Sequence, residues 1–124
     1  MPDTWCIYHI TNCSHARPTP KDKFAAIVCR DAECMGFLIN SAINRFILNR
    51  PPLLVCQVKI KASDYGFLDH DSYIDCIDLY PFEDTELIDR LCSIDVATKA
   101  EIKKAVVNSK TIAPYYQRLI CSIT

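Results

Sequence analysis

The order of the apolar segments constrains this chain more than anything else in it. Five short runs of strand character fill residues 4–79, and helical periodicity dominates only beyond them. The first run, residues 4–10, carries Trp5, Ile7 and Tyr8 among β-forming neighbours. Residues 24–29 (FAAIVC) are continuously apolar, as a central strand would be, and residues 36–40 (GFLIN) form a third run. Residues 53–61 (LLVCQVKIK) end in an alternation that turns Val58 and Ile60 inward and Lys59 and Lys61 outward. Residues 72–79 (SYIDCIDL) alternate as well, and Pro81 ends them. Runs this short, joined by turns and lacking long crossover helices, specify an antiparallel arrangement.

Helices enter in two places. Ser41 can cap a short helix over residues 42–50, with Ile43, Phe46 and Ile47 on one face and Pro51 and Pro52 as its stop. Residues 85–91 fit neither pattern cleanly. Thr98 and Glu101 match a capping box ahead of IKKAVVNS, and Pro114 opens a second helical stretch, PYYQRLI. The expected architecture is α+β: a small, strongly bent antiparallel sheet or barrel of about five strands with C-terminal helices. Val28, Ile39, Val55 and Ile74 are expected inside it. At 124 residues the chain is expected to form one domain, residues 1–124.

Half the residues are hydrophobic, which excludes a disordered chain, and no apolar run approaches the length of a membrane span. The N-terminal stretch opens acidic and carries polar residues along its length, so it does not read as a signal peptide and a cytoplasmic protein is expected. On that basis the eight cysteines are expected to be free thiols, with Cys29, Cys56 and Cys76 set in apolar runs as small buried hydrophobes. The formal net charge is only -1, but residues 1–63 carry +4 and residues 64–124 carry −5. A near-neutral chain can thus still present a basic face.

Few residues point to chemistry. Cys6, His9, Cys13 and His15 supply four zinc-type donors, but Cys6 and His9 fall on opposite faces of one strand, so no metal is expected there. His70 sits among Asp69, Asp71 and Ser72 at a turn and can serve as acid or base; the same residues also suit simple turn capping. Lys21, Lys23, Arg30, Arg45 and Arg50 are cations around the long loop and the short helix, able to meet phosphates or to remain solvated surface charges.

The succession of TWCIYHI, a long loop, KDKFAAIVC, GFLINS, AINRFILNR, LLVCQVKI, LDHDSYIDCIDL and ELIDRLCSIDVATKAEIKKAVVNS resembles the MazF/PemK-type toxins of bacterial toxin-antitoxin systems. The resemblance spans nearly the whole chain through short motifs. It implies an SH3-like barrel with C-terminal helices, a homodimer, a cognate antitoxin partner, and cleavage of single-stranded RNA without metal or other cofactor. In such toxins a ribose 2′-OH attacks the adjacent phosphate, aided by an arginine before the second strand and a threonine before the LLVCQV-like strand. Here Lys23, followed by Phe24 rather than proline, holds the arginine's place, and Pro51 or Pro52 holds the threonine's. The glycines of the family's first loop are absent. Lysine keeps the charge without the planar fork, and proline brings no hydroxyl. Two functions are compatible with these residues. One is an endoribonuclease with Lys23 as electrostatic stabiliser and His70 as acid or base, with Lys21, Arg30, Arg45 and Arg50 on the RNA. The other is a non-catalytic barrel that binds RNA or a protein partner.

Overall fold

The computed structural model describes residues 2–122. Seven strands form one curled antiparallel half-barrel: β1 (Cys6–Cys13), β2 (Lys21–Arg30), β3 (Cys34–Asn40), β4 (Gln57–Ile60), β5 (Ser72–Asp75), β6 (Tyr80–Phe82) and β7 (Asp89–Ser93). The order across the sheet is β4-β5-β3-β2-β1-β7. The far edge of β3 is divided. Its end at Ile39 and Asn40 pairs with β5, and its start at Cys34 to Gly36 pairs with β6. One strand serving two partners in succession lets the sheet curl.

Alternation along the strands builds two apolar layers. Ile7, Ala26, Val28, Phe37, Ile39, Val58, Ile60 and Ile74 face one side. There they meet Ile102, Ala105 and Val106 of α3 (Val96–Asn108) and Ile120 of α4 (Pro114–Ser122). Cys6, Tyr8, Ile10, Ala25, Ile27 and Leu38 face the other side, closed by Phe82 and Leu87. Gly36 packs against β2 with no room for a side chain: an added Cβ would lie 2.6 Å from the Ala26 carbonyl oxygen. Among the described residues, no helix is long and apolar enough to cross a membrane.

Several local expectations are corrected. The run 53–61 is a strand only over β4; residues 51–54 form a helical turn, α2 (Pro51–Leu54), with proline in its first positions. The prolines open this turn because its first backbone groups need no N–H partner inside the helix. Val55 then faces solvent instead of the core, at 56% exposure. The preceding helix, α1 (Arg45–Leu48), is a single turn capped by Asn44, whose Oδ1 accepts from the Ile47 N–H at 2.9 Å; Ser41 plays no such part. Phe46 lies outward. In α3 the cap is Asp95, accepting from the Thr98 N–H at 2.7 Å, one turn before the expected box.

All eight cysteines are free. Six are buried, and Cys92 and Cys121 are half-buried. Burial, then Asp31 and Cys34, pushes the Cys29 thiol up to about 12, and burial raises Cys56, Cys76, Cys92 and Cys121 as well. Reaction with a thiol reagent needs the exposed thiolate. Titration of the folded protein is therefore expected to show at most two fast thiols, and unfolding in denaturant without reductant should release all eight. Fewer than eight after unfolding would reveal a disulfide and contradict the assignment.

Candidate active site

The N-terminal end of β2, the C-terminal end of β3 and the middle of β1 meet at one rim of the sheet. Phe24 pairs with His9 on one side and Ile39 on the other, and Lys23 pairs with Ile10. Lys23 points to the face of Ala25 and Ile27, where Asn40 of β3 also points. Its ammonium donates to Asn40 Oδ1 at 2.6 Å. Burial, and then the nearby Lys21, lower the Lys23 pKa below the ordinary lysine range. Lys23 is thus a half-buried, anchored cation and not the freely solvated charge its sequence setting suggests.

Beside it opens a cleft of about 330 Å³ bordered by His9, Lys21, Asp22, Lys23, Asn40 and His70 together with Phe24 and Phe67. The size falls at the lower end of small-ligand sites. His9 comes from β1 and lies between two carboxylates. Its Nε2 is 3.6 Å from Asp22 and its Nδ1 is 3.7 Å from Asp89. Asp22 is itself fixed, because its other oxygen accepts the Asn12 N–H at 2.8 Å across the irregular end of β1. An imidazole held this way has an anion on each side when it takes up a proton. Phe24 meets the His9 ring edge at 5.8 Å and the Phe67 ring at 4.7 Å, giving the cleft an aromatic wall.

His70 arrives on the loop between β4 and β5. Asp71 ties that loop down by accepting the Ala62 N–H at 2.9 Å, and the buried Ser72 donates to the His70 carbonyl at 3.1 Å. The capping role expected of this turn therefore belongs to Asp71 and Ser72. Asp69 and the His70 imidazole border the cleft and make no side-chain hydrogen bond among the described residues.

The structure brings together Lys21, Lys23 and His70 and leaves the other three cations apart. Arg30 closes the opposite end of β2, where it pairs with Asp84 through Nη1 at 3.0 Å and Nη2 at 3.3 Å. That contact raises Arg30 and lowers Asp84 from their usual ranges. Arg50 lies over the Phe46 ring at 3.6 Å and donates to the Phe46 carbonyl. Arg45 is exposed on α1. None of the three borders the cleft. The zinc-type donors also separate: Cys6 and Cys13 are buried in the second apolar layer, and His15 stacks on Tyr80 at 4.6 Å. Among the described residues, no three His, Cys, Asp or Glu side chains converge to hold a metal ion.

His9 is the residue whose place in the cleft the sequence did not indicate. Asp89, one of its two partners, lies 80 positions away and reaches it only through the pairing of β7 with β1.

Likeness to known proteins bears on the fold. No family model matches the chain, and no curated protein matches it. The toxin MazF-mt6 of Mycobacterium tuberculosis is a similar solved structure. It superposes with a TM-score of 0.61 at 13% identity, covering 83% of this chain and 93% of that one. The half-barrel with its helices is therefore a MazF-like fold. Identity this low speaks for the fold and leaves the chemistry to the residues in the cleft.

Proposed function

We propose that the chain is a toxin-type endoribonuclease that cleaves single-stranded RNA by internal transphosphorylation. The observation that supports this best is the meeting of His9, Lys23 and His70, from β1, β2 and the β4–β5 loop, around one cleft. The reaction needs three things: a base, an acid, and a fixed positive charge beside the phosphate. One imidazole takes the proton of the ribose 2′-OH as its oxygen bonds to the adjacent phosphorus. The P–O5′ bond breaks, and the other imidazole supplies a proton to the departing 5′ oxygen. The products are a 2′,3′-cyclic phosphate and a 5′-hydroxyl. Lys23 opposes the added negative charge on the five-coordinate phosphorus, and the Phe24–Phe67 wall offers a face for a base.

In this reading Lys23 keeps both the place and the charge of the MazF/PemK arginine, and the two histidines carry the proton transfers without the family's threonine, whose place here holds Pro51 or Pro52. The prolines sit on the exposed turn α2 and supply no hydroxyl. Inducible expression in bacteria tests the activity in cells. New RNA 5′-hydroxyl ends should accumulate as growth stops, in the wild type and not in a His9→Ala, His70→Ala double variant. Equal ends in both would overturn the assignment of the histidines.

The reading extends to a homodimer and a cognate antitoxin protein. Among the described residues the outer edges of β4 and β7 have no strand partner, and Ile88, Val96 and Val55 expose 84%, 84% and 56% of their surface beside them. A second copy would cover such edges. Sedimentation at tens of micromolar should give twice the mass of the 14.1 kDa chain; a monomer there would contradict the dimer.

A further inference from the structure

A second cleft of about 420 Å³ opens on the other side of Lys23. The two share Lys21, Lys23, Asn40 and Ser41, so the Lys23–Asn40 pair stands on the ridge between them. This second cleft is bordered by His15, Arg17, Asn44, Asp75, Asp78 and Tyr80. Most of its polar groups already have partners. Asp75 Oδ1 accepts from Gln57 Nε2 at 2.8 Å and from the Ile77 N–H at 3.2 Å. Arg17 Nη1 donates to the carbonyls of His15 and Ala16. His15 Nε2 lies 2.7 Å from the Pro81 carbonyl oxygen, which makes that nitrogen the donor. Asp78 differs: its carboxylate makes no hydrogen bond or ion pair among the described residues. Asn44 is half engaged, because its Oδ1 caps α1 and its amide N–H2 makes no hydrogen bond among the described residues. His15 and Tyr80 form a parallel stack at 4.6 Å with 20° between their planes.

We propose that this second cleft is a guanine-selecting subsite, in which Asp78 reads the Watson–Crick edge of the nucleotide next to the cleaved phosphate. The inference rests on the ribonuclease reading for its substrate and goes beyond it in naming the base and the reader. Guanine alone presents two neighbouring donors, N1–H and N2–H2, to a carboxylate with two acceptor oxygens. Adenine and cytosine present one donor beside a ring-nitrogen acceptor, and uracil flanks its single donor with two acceptors. A carboxylate meets repulsion in each of those three cases. The Asn44 amide can donate to guanine O6, and the His15–Tyr80 stack gives the base a ring to lie against. Burial and the neighbouring Asp75 raise the Asp78 pKa. A bound guanine would leave its phosphate on the ridge, beside Lys21 and Lys23.

Binding separates this inference from the reading beneath it. The probes are 2′-O-methyl single-stranded RNA oligonucleotides, which lack the attacking hydroxyl, with one guanine, inosine, adenine, cytosine or uracil in a uridine background. Fluorescence anisotropy with the wild-type protein should rank guanine about tenfold or more above adenine and uracil, with inosine between because it lacks the N2 amino group. Asp78→Asn should remove the guanine advantage, bringing the guanine and uracil probes to within about twofold of each other. Circular dichroism would verify that the variant is folded. Equal affinities for all five probes, or an unchanged guanine preference in Asp78→Asn, would overturn the subsite. Cleavage of unmodified oligonucleotides, run in parallel, reports on the ribonuclease reading. Guanine selection without cleavage would remove that reading and keep the subsite, and cleavage without selection would do the reverse.

Discussion

Lys23→Ala is expected to lower the rate of RNA cleavage by about 10²–10³-fold, the usual effect of removing one preorganised donor or charge from a developing oxyanion. Lys23 occupies a rigid strand, its ammonium is anchored on Asn40 at 2.6 Å, and two clefts meet at it. The loss should fall on kcat more than on KM, since the charge it opposes develops in the transition state. Folding should change by no more than about 1 kcal/mol, because the lost contact is one half-buried hydrogen bond. Lys23→Arg adds a pH test whose sign is set by the structure. The protonated ammonium is the working form, and burial together with Lys21 lowers its pKa. Activity should therefore fall with rising pH earlier than an ordinary lysine would dictate. Arginine, which keeps its proton, should carry activity further into the alkaline range. Full activity in Lys23→Ala, or identical alkaline limbs for lysine and arginine, would remove Lys23 from the mechanism.

Phe37→Ala is expected to destabilise the fold by about 3–5 kcal/mol, a large share of the roughly 5–15 kcal/mol that holds a domain of this size together. Phe37 is fully buried at the centre of β3, opposite Ala26, in the layer that the sheet shares with α3 and α4. The small Ala26 leaves room for its ring, so truncation leaves a cavity that no neighbour on β2 can fill. Differential scanning calorimetry should show the melting temperature lowered by roughly 10–20 °C. A change of only a few degrees would mean that the two layers collapse onto the gap.

The parts of this fold that could be read in the sequence are those decided locally. FAAIVC and GFLIN are apolar on both faces because β2 and β3 are covered on both sides, and both became central strands. The two missed strands are those where tertiary pairing overrides composition. β6 contains Pro81 and is tolerated because it pairs only with β3, leaving one side without ladder partners. β7 carries Asp89 and Arg90 on an edge, where charge is common. LLV before β4 reads as strand by its side chains alone, but the two prolines ahead of it bend that stretch into α2.

The site divides in the same way. Lys23 was singled out by the resemblance, which puts it in the place of the family's arginine ahead of an apolar run, and His70 by its setting in a polar turn. His9 could not, because its role depends on the register that sets it beside Phe24 and Asp89. Arg30 is grouped by the linear sequence with Lys21, Arg45 and Arg50 as a cation for the RNA. Ten residues of extended strand put it at the far end of β2, against Asp84.

The central claim is that this cleft cuts RNA with its own side chains. The most direct measurement incubates the purified protein, free of any partner and with a divalent-metal chelator present, with long single-stranded RNAs, and analyses the ends formed. The account predicts fragments bearing 2′,3′-cyclic phosphate and 5′-hydroxyl termini, produced by the wild type and about a hundredfold more slowly by Lys23→Ala. RNA left intact by the folded wild-type protein would contradict it and return the chain to the non-catalytic, binding reading of the same fold.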